Sequence, residues 1–389
     1  MPDISTGDTD TSADSGTSAS TSAARATDVL VRPFSLGSLT ARNRIVMAPM
    51  TREFSPGGVP GADVAAYYAR RAAGGVGLII TEGTYVGHAS AGTSDRVPRF
   101  HGADALAGWA GVADAVHRAG GRIVPQLWHV GMARTAGAGP VPDAPRIGPS
   151  GIPLDGSEPG RAMTPEDLDD VIAAFAAGAA AAEERGFDGI EIHGAHGYLV
   201  DQFLWARTNR RDDAYGGDPV SRTRFAAEVV AACRGAVAPD FPIVFRMSQW
   251  KTGDYGARLA GTPRELEALL TPLAEAGADA FHCSTRRYWE PEFDGSELNL
   301  AGWAKKLSGK ATISVGSVGL DNEFLRAFQG ERSGVAGIDG LLERMERDEF
   351  DAVAVGRALL GDPDWAAKIL TGRTGELRAF DSSALGSLR

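Results

Sequence analysis

Eight short apolar runs alternate with longer amphipathic segments from Arg44 onward, and this alternation narrows the choice of fold more than any other feature of the chain. The runs cover 44–49, 76–83, 122–129, 189–194, 242–248, 280–284, 312–317 and 352–357. Between them the periodicity predicts helices over 63–75, 104–121, 164–186, about 221–238, 262–277, near 321–329, and over 362–370 after the last run. The third of these has the clearest ends, with Thr164 as N-cap, Pro165 at the first helical position, acids in the first turn and Gly186 beyond the last. Near-continuous apolar strands between helices indicate a parallel sheet covered on its outer face. Eight such units predict an α/β fold, a single-domain (β/α)8 barrel, rather than an open doubly wound sheet. No G-x-G-x-x-G follows the first strand, which also argues against a dinucleotide-binding sheet.

Composition limits what the barrel serves. Of 389 residues, 43% are hydrophobic and 23% charged, ordinary for a globular chain. The net charge of −11 makes a nucleic-acid partner unexpected, because such binding rests on basic surface. Two cysteines, Cys233 and Cys283, are too few for a disulfide framework, a four-cysteine zinc site or a cysteine-held iron–sulfur cluster, so a reducing cytoplasm is expected. Residues 1–29 are rich in Ser, Thr, Asp and Gly and carry −4 of the net charge. They are expected to form a disordered tail ahead of a barrel domain over 30–389. That tail lacks the basic start and apolar stretch of a signal peptide, and no apolar run is long enough to span a bilayer.

In such barrels the chemistry sits at the carboxyl ends of the strands. The first strand delivers Pro49, Met50 and Thr51 there, the second Glu82 and Gly83, the third Gln126, Trp128 and His129. The fourth delivers Glu191 and His193, with His196 and Tyr198 just beyond, and the fifth Arg246, Ser248 and Trp250. Alternation puts Glu191 and His193 on one face and Ile190 and Ile192 on the other. A buried Arg246 needs a negative partner. That partner is either Glu191, in a structural ion pair, or an anionic cofactor above it. The seventh and eighth strands end in Val315-Gly316-Ser317 and Gly356-Arg357. Glycine leaves backbone N–H groups unshielded, and a phosphate site after strands seven and eight is frequent in barrels. Arg357 would add a bidentate contact. A phosphate, an amide edge at Gln126 and a buried cation together fit flavin mononucleotide, FMN, whose redox chemistry is its own.

These motifs coincide with a known family. ARNRIVMAPMTR (41–52), YYARRAAGGVGLIITEGT (67–84), GGRIVPQLWHVG (120–131), GFDGIEIHGAHGYLVDQFLWARTNRRDDAYGG (186–217), RMS (246–248) and DAVAVGRALLGDPDW (351–365) resemble the Old Yellow Enzyme family of FMN-dependent ene-reductases. The resemblance implies that Pro49, Met50, Thr51, Gly83, Gln126 and Arg246 hold the flavin ring, and that Val315, Gly316, Ser317, Gly356 and Arg357 hold its phosphate. It further implies that His193 and His196 bind the carbonyl oxygen of an α,β-unsaturated substrate and that Tyr198 is the proton donor. NADH or NADPH would be the transient electron donor. Thr51 stands where many family members with a His-x-x-His pair carry cysteine. Trp128 is expected as pocket wall, and Tyr288 and Trp289 as further substrate contacts. His88, His101, His117 and His282 are read as ordinary surface or core residues. Larger relatives add an iron–sulfur cluster and a further domain; two cysteines and a chain ending at Arg389 imply neither here. Segment 330–347 reads as an insertion before the last strand.

Two other readings stand beside this one. A metal-dependent hydrolase could use His193, His196 and a carboxylate, since histidine is the commonest metal ligand; the flavin motifs around the pair point instead to no metal. A flavin-binding protein without turnover is the other. The partner is then a small enone-type molecule, with no nucleic acid and no membrane, and the sequence is compatible with a homo-oligomer.

Overall fold

A computed structural model describes residues 28–321 and 333–389. Its centre is a closed barrel of eight strands: β1 (Ile45–Met47), β2 (Leu78–Tyr85), β3 (Arg122–Trp128), β4 (Ile190–His196), β5 (Ile243–Lys251), β6 (Ala280–Ser284), β7 (Ala311–Val315) and β8 (Ala352–Val355). Every neighbouring pair is parallel, and β8 closes onto β1 through Val353–Ile45 to Val355–Met47. All eight predicted strands are present. Helices Ala62–Ala73, Ala103–Arg118, Pro165–Glu184, Pro219–Gly235, Pro263–Glu275 and Leu300–Ser308 cover the outer face. The predicted helix near 321–329 lies almost wholly outside the described residues, as do residues 1–27 of the expected tail. The packed chain begins earlier than the boundary at 30, because Val29 is already 2% exposed within the core. The latter part of segment 330–347 is the helix Asp339–Glu346.

Two apolar layers follow from strand alternation. Ile190, Ile192, Ile243, Phe245, Phe281 and Cys283 face outward into the helices, with Phe175, Phe225 and Leu266 among their neighbours. Val46, Leu78, Ile80, Val124, Val244, Ala280, Ile313 and Ala352 fill the barrel interior. Beneath them an antiparallel hairpin, Phe34–Leu36 with Leu39–Ala41, seals the amino-terminal end; Phe34, Leu36, Leu39 and Ala41 belong to the same interior cluster. The interior is thus apolar low down and polar near the mouth, which sets the depth of any site.

Helix ends follow the capping residues. Thr164 accepts from Asp167 N, and the Asp167 carboxylate accepts in return from Thr164 N. Asp218 caps Val220 and Ser221 ahead of Pro219, so the fourth covering helix starts two residues before the predicted 221. Among the described residues no helix is long and apolar enough to cross a membrane.

β4 departs from prediction in a way that matters for the site. It does not stop at Gly194 but runs to His196, with a register shift against β5 between Gly194 and His196. A Cβ at Gly194 would lie 2.3 Å from Phe245 Cζ, so glycine is needed where the strand dips toward its neighbour. Past the bulge His196 and Gly197 take left-handed backbone angles, φ 65° and 86°. Tyr198 then opens the short helix Leu199–Leu204.

Candidate active site

The mouth of the barrel holds a cavity of about 320 Å3, within the range of small-molecule sites. Pro49, Met50, Thr51, Gln126, Trp128, His193, His196, Tyr198, Arg246, Val315, Gly316, Ser317, Gly356 and Arg357 all line it. Fourteen of the residues expected at the site therefore meet in one space, although they come from six of the eight strand ends.

Below the cavity lies a buried polar network. Glu191, 0% exposed, accepts from Gln126 Nε2 at 2.7 Å and bonds His282 Nδ1 at 2.6 Å. His282, also 0% exposed, lies against the Arg246 guanidinium, with Arg246 Nη1 3.0 and 3.1 Å from its two ring nitrogens. Burial first, then the Arg246 charge, pushes the His282 imidazole down to about 4. It is therefore neutral at physiological pH, donating from Nδ1 to Glu191 and offering Nε2 to Arg246. Arg246 and Glu191 are themselves 3.9 Å apart, so the histidine relays a pairing that direct contact makes only loosely. His282 is thus no ordinary core residue, which corrects the sequence reading.

Arg246 serves both readings given for it. It is bound into the interior network, and it also lines the cavity, where its Nε is buried without an acceptor among the described residues. An orphaned buried donor of this kind is costly unless a ligand supplies the acceptor. The end expected to take the phosphate shows a complementary feature. A Cβ on Gly356 would meet nothing nearer than Met50 Sδ at 3.5 Å and would project into the cavity, whereas one on Gly316 would strike Thr285 Oγ1 at 2.7 Å. Arg357 holds Ser333 Oγ at 3.1 Å and lies over the Phe380 ring. An orphaned guanidinium N–H at one end and a bare glycine cradle beside an arginine at the other fit a flat, anionic, phosphorylated group.

The opposite wall carries the proton-handling residues. His193 stacks on Trp128 with ring centres 5.9 Å apart. Its Nδ1 accepts from Ala195 N at 3.4 Å, which leaves Nε2 to carry the hydrogen. His196 stacks on Trp250 at 4.3 Å, and its Nε2 bonds Ser284 Oγ at 2.8 Å. Tyr198 stands edge-on to both Trp128 and His193, at 4.8 and 4.9 Å. Among the described residues no protein group bonds the Tyr198 hydroxyl. Burial, then the Arg246 charge, holds both imidazoles well below their usual range. Burial also raises the Tyr198 phenol above its ordinary 10. Among the described residues, no group of three or more His, Cys, Asp or Glu side chains stands where it could hold a metal ion.

A pH prediction follows. Depressed imidazoles stay neutral as pH falls through 6.5, and a raised phenol stays protonated as pH rises to 10. Turnover at the site should be flat from about pH 6 to 9, with no inflection near the ordinary histidine value of about 6.5. A kcat/KM profile with a step near 6.5 would show that one of the pair titrates in that window.

Three expected residues do not line the cavity. Gly83 sits one layer back, where a Cβ would lie 2.5 Å from Trp128 Cε3; its smallness lets the Trp128 ring lie flat. Tyr288 and Trp289, expected as substrate contacts, do not reach this cavity either. The loop after β6 turns them away because Asn299 Nδ2 takes the Tyr288 carbonyl and Arg344 takes that of Trp289. Tyr288 is 6% exposed against the helix Asp339–Glu346, and Trp289 is 41% exposed at the surface. The aromatic wall is supplied instead by Trp250 and Tyr255, stacked at 5.4 Å. Phe380 and Leu385, from the C-terminal segment, also line the cavity and were not anticipated. Arg52 brings that segment there by donating to the carbonyls of Ala384, Leu385 and Ser387.

A barrel with such a mouth is of the class of FMN-dependent oxidoreductases. Over residues 29–376 the chain matches the NADH:flavin oxidoreductase / NADH oxidase family, and it belongs to that family, the Old Yellow Enzyme family. It is 33% identical to the flavin oxidoreductase hxnT of Emericella nidulans over 91% of this chain and 93% of that protein. It is 32% identical to rice (Oryza sativa subsp. japonica) 12-oxophytodienoate reductase 7 over 86% of each. An NADH oxidase of Thermoanaerobacter brockii is 35% identical over 91% of this chain, which spans 52% of that protein's length. Among solved structures, morphinone reductase superposes with a TM-score of 0.74 at 29% identity, covering 92% of both chains.

Proposed function

We propose that the protein is an NAD(P)H-dependent ene-reductase that reduces the activated C=C bond of α,β-unsaturated carbonyl compounds. The observation that carries this reading is the convergence of His193, His196 and Tyr198 on the one cavity that Gln126 and Arg246 also line. Pro49, Met50, Thr51, Gln126 and Arg246 would hold the ring of FMN, and Val315, Gly316, Ser317, Gly356 and Arg357 its phosphate. Bound there, FMN supplies the hydride chemistry.

The chain's own residues do the rest. His193 and His196 hydrogen-bond the substrate carbonyl oxygen, where negative charge builds as the alkene is reduced. Neutral imidazoles suit this task, because they donate without needing a counter-ion in a dry site. Preorganised donors of this kind are worth about 3–4 kcal/mol each when removed. Tyr198 delivers its Oη proton to the α carbon. Trp128 and Trp250 exclude water on either side of the pair. Support for a nicotinamide donor comes from the relatives: one is named NADH oxidase, and morphinone reductase has been solved with tetrahydroNAD.

The purified protein should be yellow and release FMN on denaturation. Mixed anaerobically with NADH or NADPH it should bleach, and 2-cyclohexen-1-one should restore the colour with formation of cyclohexanone. Bleaching without recovery on any of a panel of enones, nitroalkenes and unsaturated thioesters would leave a flavoprotein whose oxidant is something else.

A further inference from the structure

Directly behind the proton-handling turn lies an ion pair that the chemistry above does not use. Lys251 Nζ and Asp201 Oδ1 are 2.8 Å apart, and both side chains are 0% exposed. Burying two charges so completely is expensive, and a well-packed apolar pair is often at least as stable. Stability alone is therefore a poor account of it. Its bonds suggest another. The second oxygen of Asp201 accepts from Gly197 N at 2.6 Å. Gly197 is the residue between His196 and Tyr198, and it shares with His196 the left-handed backbone. A residue with a side chain keeps such a conformation only when its surroundings hold it there.

β5 supplies those surroundings. Lys251 pairs with His196 across the bulge, and Lys251 Nζ also donates to Ser248 O at 3.1 Å. Ser248 Oγ in turn accepts from His196 N at 2.9 Å, and His196 O accepts from Thr252 N at 3.1 Å. The chain is thus pinned at the backbone of both His196 and Gly197, and the Gly197 pin is anchored on an ammonium fixed in β5.

We propose that Asp201 and Lys251 are positioning residues that lock the His196–Gly197 turn, and so set where His196 and Tyr198 stand relative to the substrate. This rests on the ene-reductase reading for the roles of those two side chains. Lys251 neutralises Asp201 and fixes its rotamer. Asp201 then holds the turn through a charge-assisted bond, shorter and stronger than a neutral acceptor would make.

The test compares two double variants of the FMN-loaded enzyme. Asp201→Asn/Lys251→Met removes both charges but leaves an acceptor for Gly197 N. Asp201→Leu/Lys251→Met removes the acceptor too, with the same branching at Cγ. Both should keep their FMN and be bleached by NADH within twofold of the wild-type rate. Reoxidation by 2-cyclohexen-1-one should fall about 10- to 100-fold in the Leu/Met protein, as expected for a displacement of about 1 Å. The Asn/Met protein should recover most of that loss. In 15N-histidine spectra His196 should shift in the Leu/Met protein and stay near its wild-type position in the Asn/Met protein. If the Leu/Met protein fails to fold, Asp201→Ala/Lys251→Met, which adds no volume, carries the same comparison. Wild-type reoxidation in the variant without the acceptor, or equal loss in both half-reactions, would overturn the proposal. Were the wild-type enzyme inert toward enones, the ene-reductase reading would fail on its own; the His196 spectrum would still decide the positioning role, and an unmoved resonance would end it.

Discussion

Tyr198→Phe is expected to slow reoxidation of the reduced enzyme by an enone about 10²- to 10⁴-fold, the usual contribution of a positioned general acid, while leaving bleaching by NADH unchanged. The split arises because only one half of the cycle needs a proton delivered to carbon. The substitution removes one oxygen atom and keeps the ring that packs edge-on to Trp128 and His193. Loss of the hydroxyl leaves no protein partner stranded, since among the described residues none bonds it. Stability should therefore move little, which makes the kinetic effect readable. The raised phenol pKa is not an obstacle. The receiving atom is an enolate carbon, basic enough to take a proton from a phenol, and a phenol that stays protonated is always loaded. Stopped-flow absorbance of the two half-reactions measures the split. Equal slowing of both would mean that Tyr198 shapes the cavity for every ligand; no slowing of either would move the proton donor elsewhere.

The barrel was legible because a buried parallel strand carries its own signature, a short apolar run between two helices, and all eight runs became strands. Alternation along β4 and β5 also placed Glu191, His193 and Arg246 inside. The same rule applied to β6 would have found His282. Ala280 faces the interior and Phe281 and Cys283 face the helices, so His282 must point inward beside Arg246. What was not legible depends on contacts distant in sequence. Trp289 reads as a pocket aromatic until Arg344, on a helix 55 residues further on, takes its carbonyl and turns the loop outward. Phe380 and Leu385 carry no local signal for a site; Arg52, more than 330 residues earlier, brings their segment to the cavity. Gly83 was expected against the flavin ring, but a Cβ there would meet the Trp128 ring, a contact between two strands that no spacing reveals.

Arg246→Met tests the other wall of the cavity, and its expected effect falls on the cofactor. A hydrogen bond to a charged group contributes about 1.5–3 kcal/mol, so losing the guanidinium should weaken FMN binding about 10- to 150-fold. Methionine fills most of the stem's volume, and the interior is not left with an unpaired carboxylate: Glu191 keeps Gln126 at 2.7 Å and His282 at 2.6 Å. The fold should accordingly survive as apoprotein. One further change identifies the cause. After burial, the Arg246 charge is the largest influence holding the His282 imidazole down near 4, while Glu191 pulls the other way. Removing the cation must therefore raise the His282 pKa, visible in 15N-histidine spectra as protonation at a higher pH than in the wild type. Arg246→Lys restores a charge but not the planar fork, and should recover the His282 titration more fully than the FMN affinity. If Arg246→Met bound FMN as tightly as the wild type while His282 still shifted, the guanidinium would be a structural partner of Glu191 alone, and the anionic edge of the cofactor would have to find its counter-charge elsewhere, for example at Arg286, which also lines the cavity.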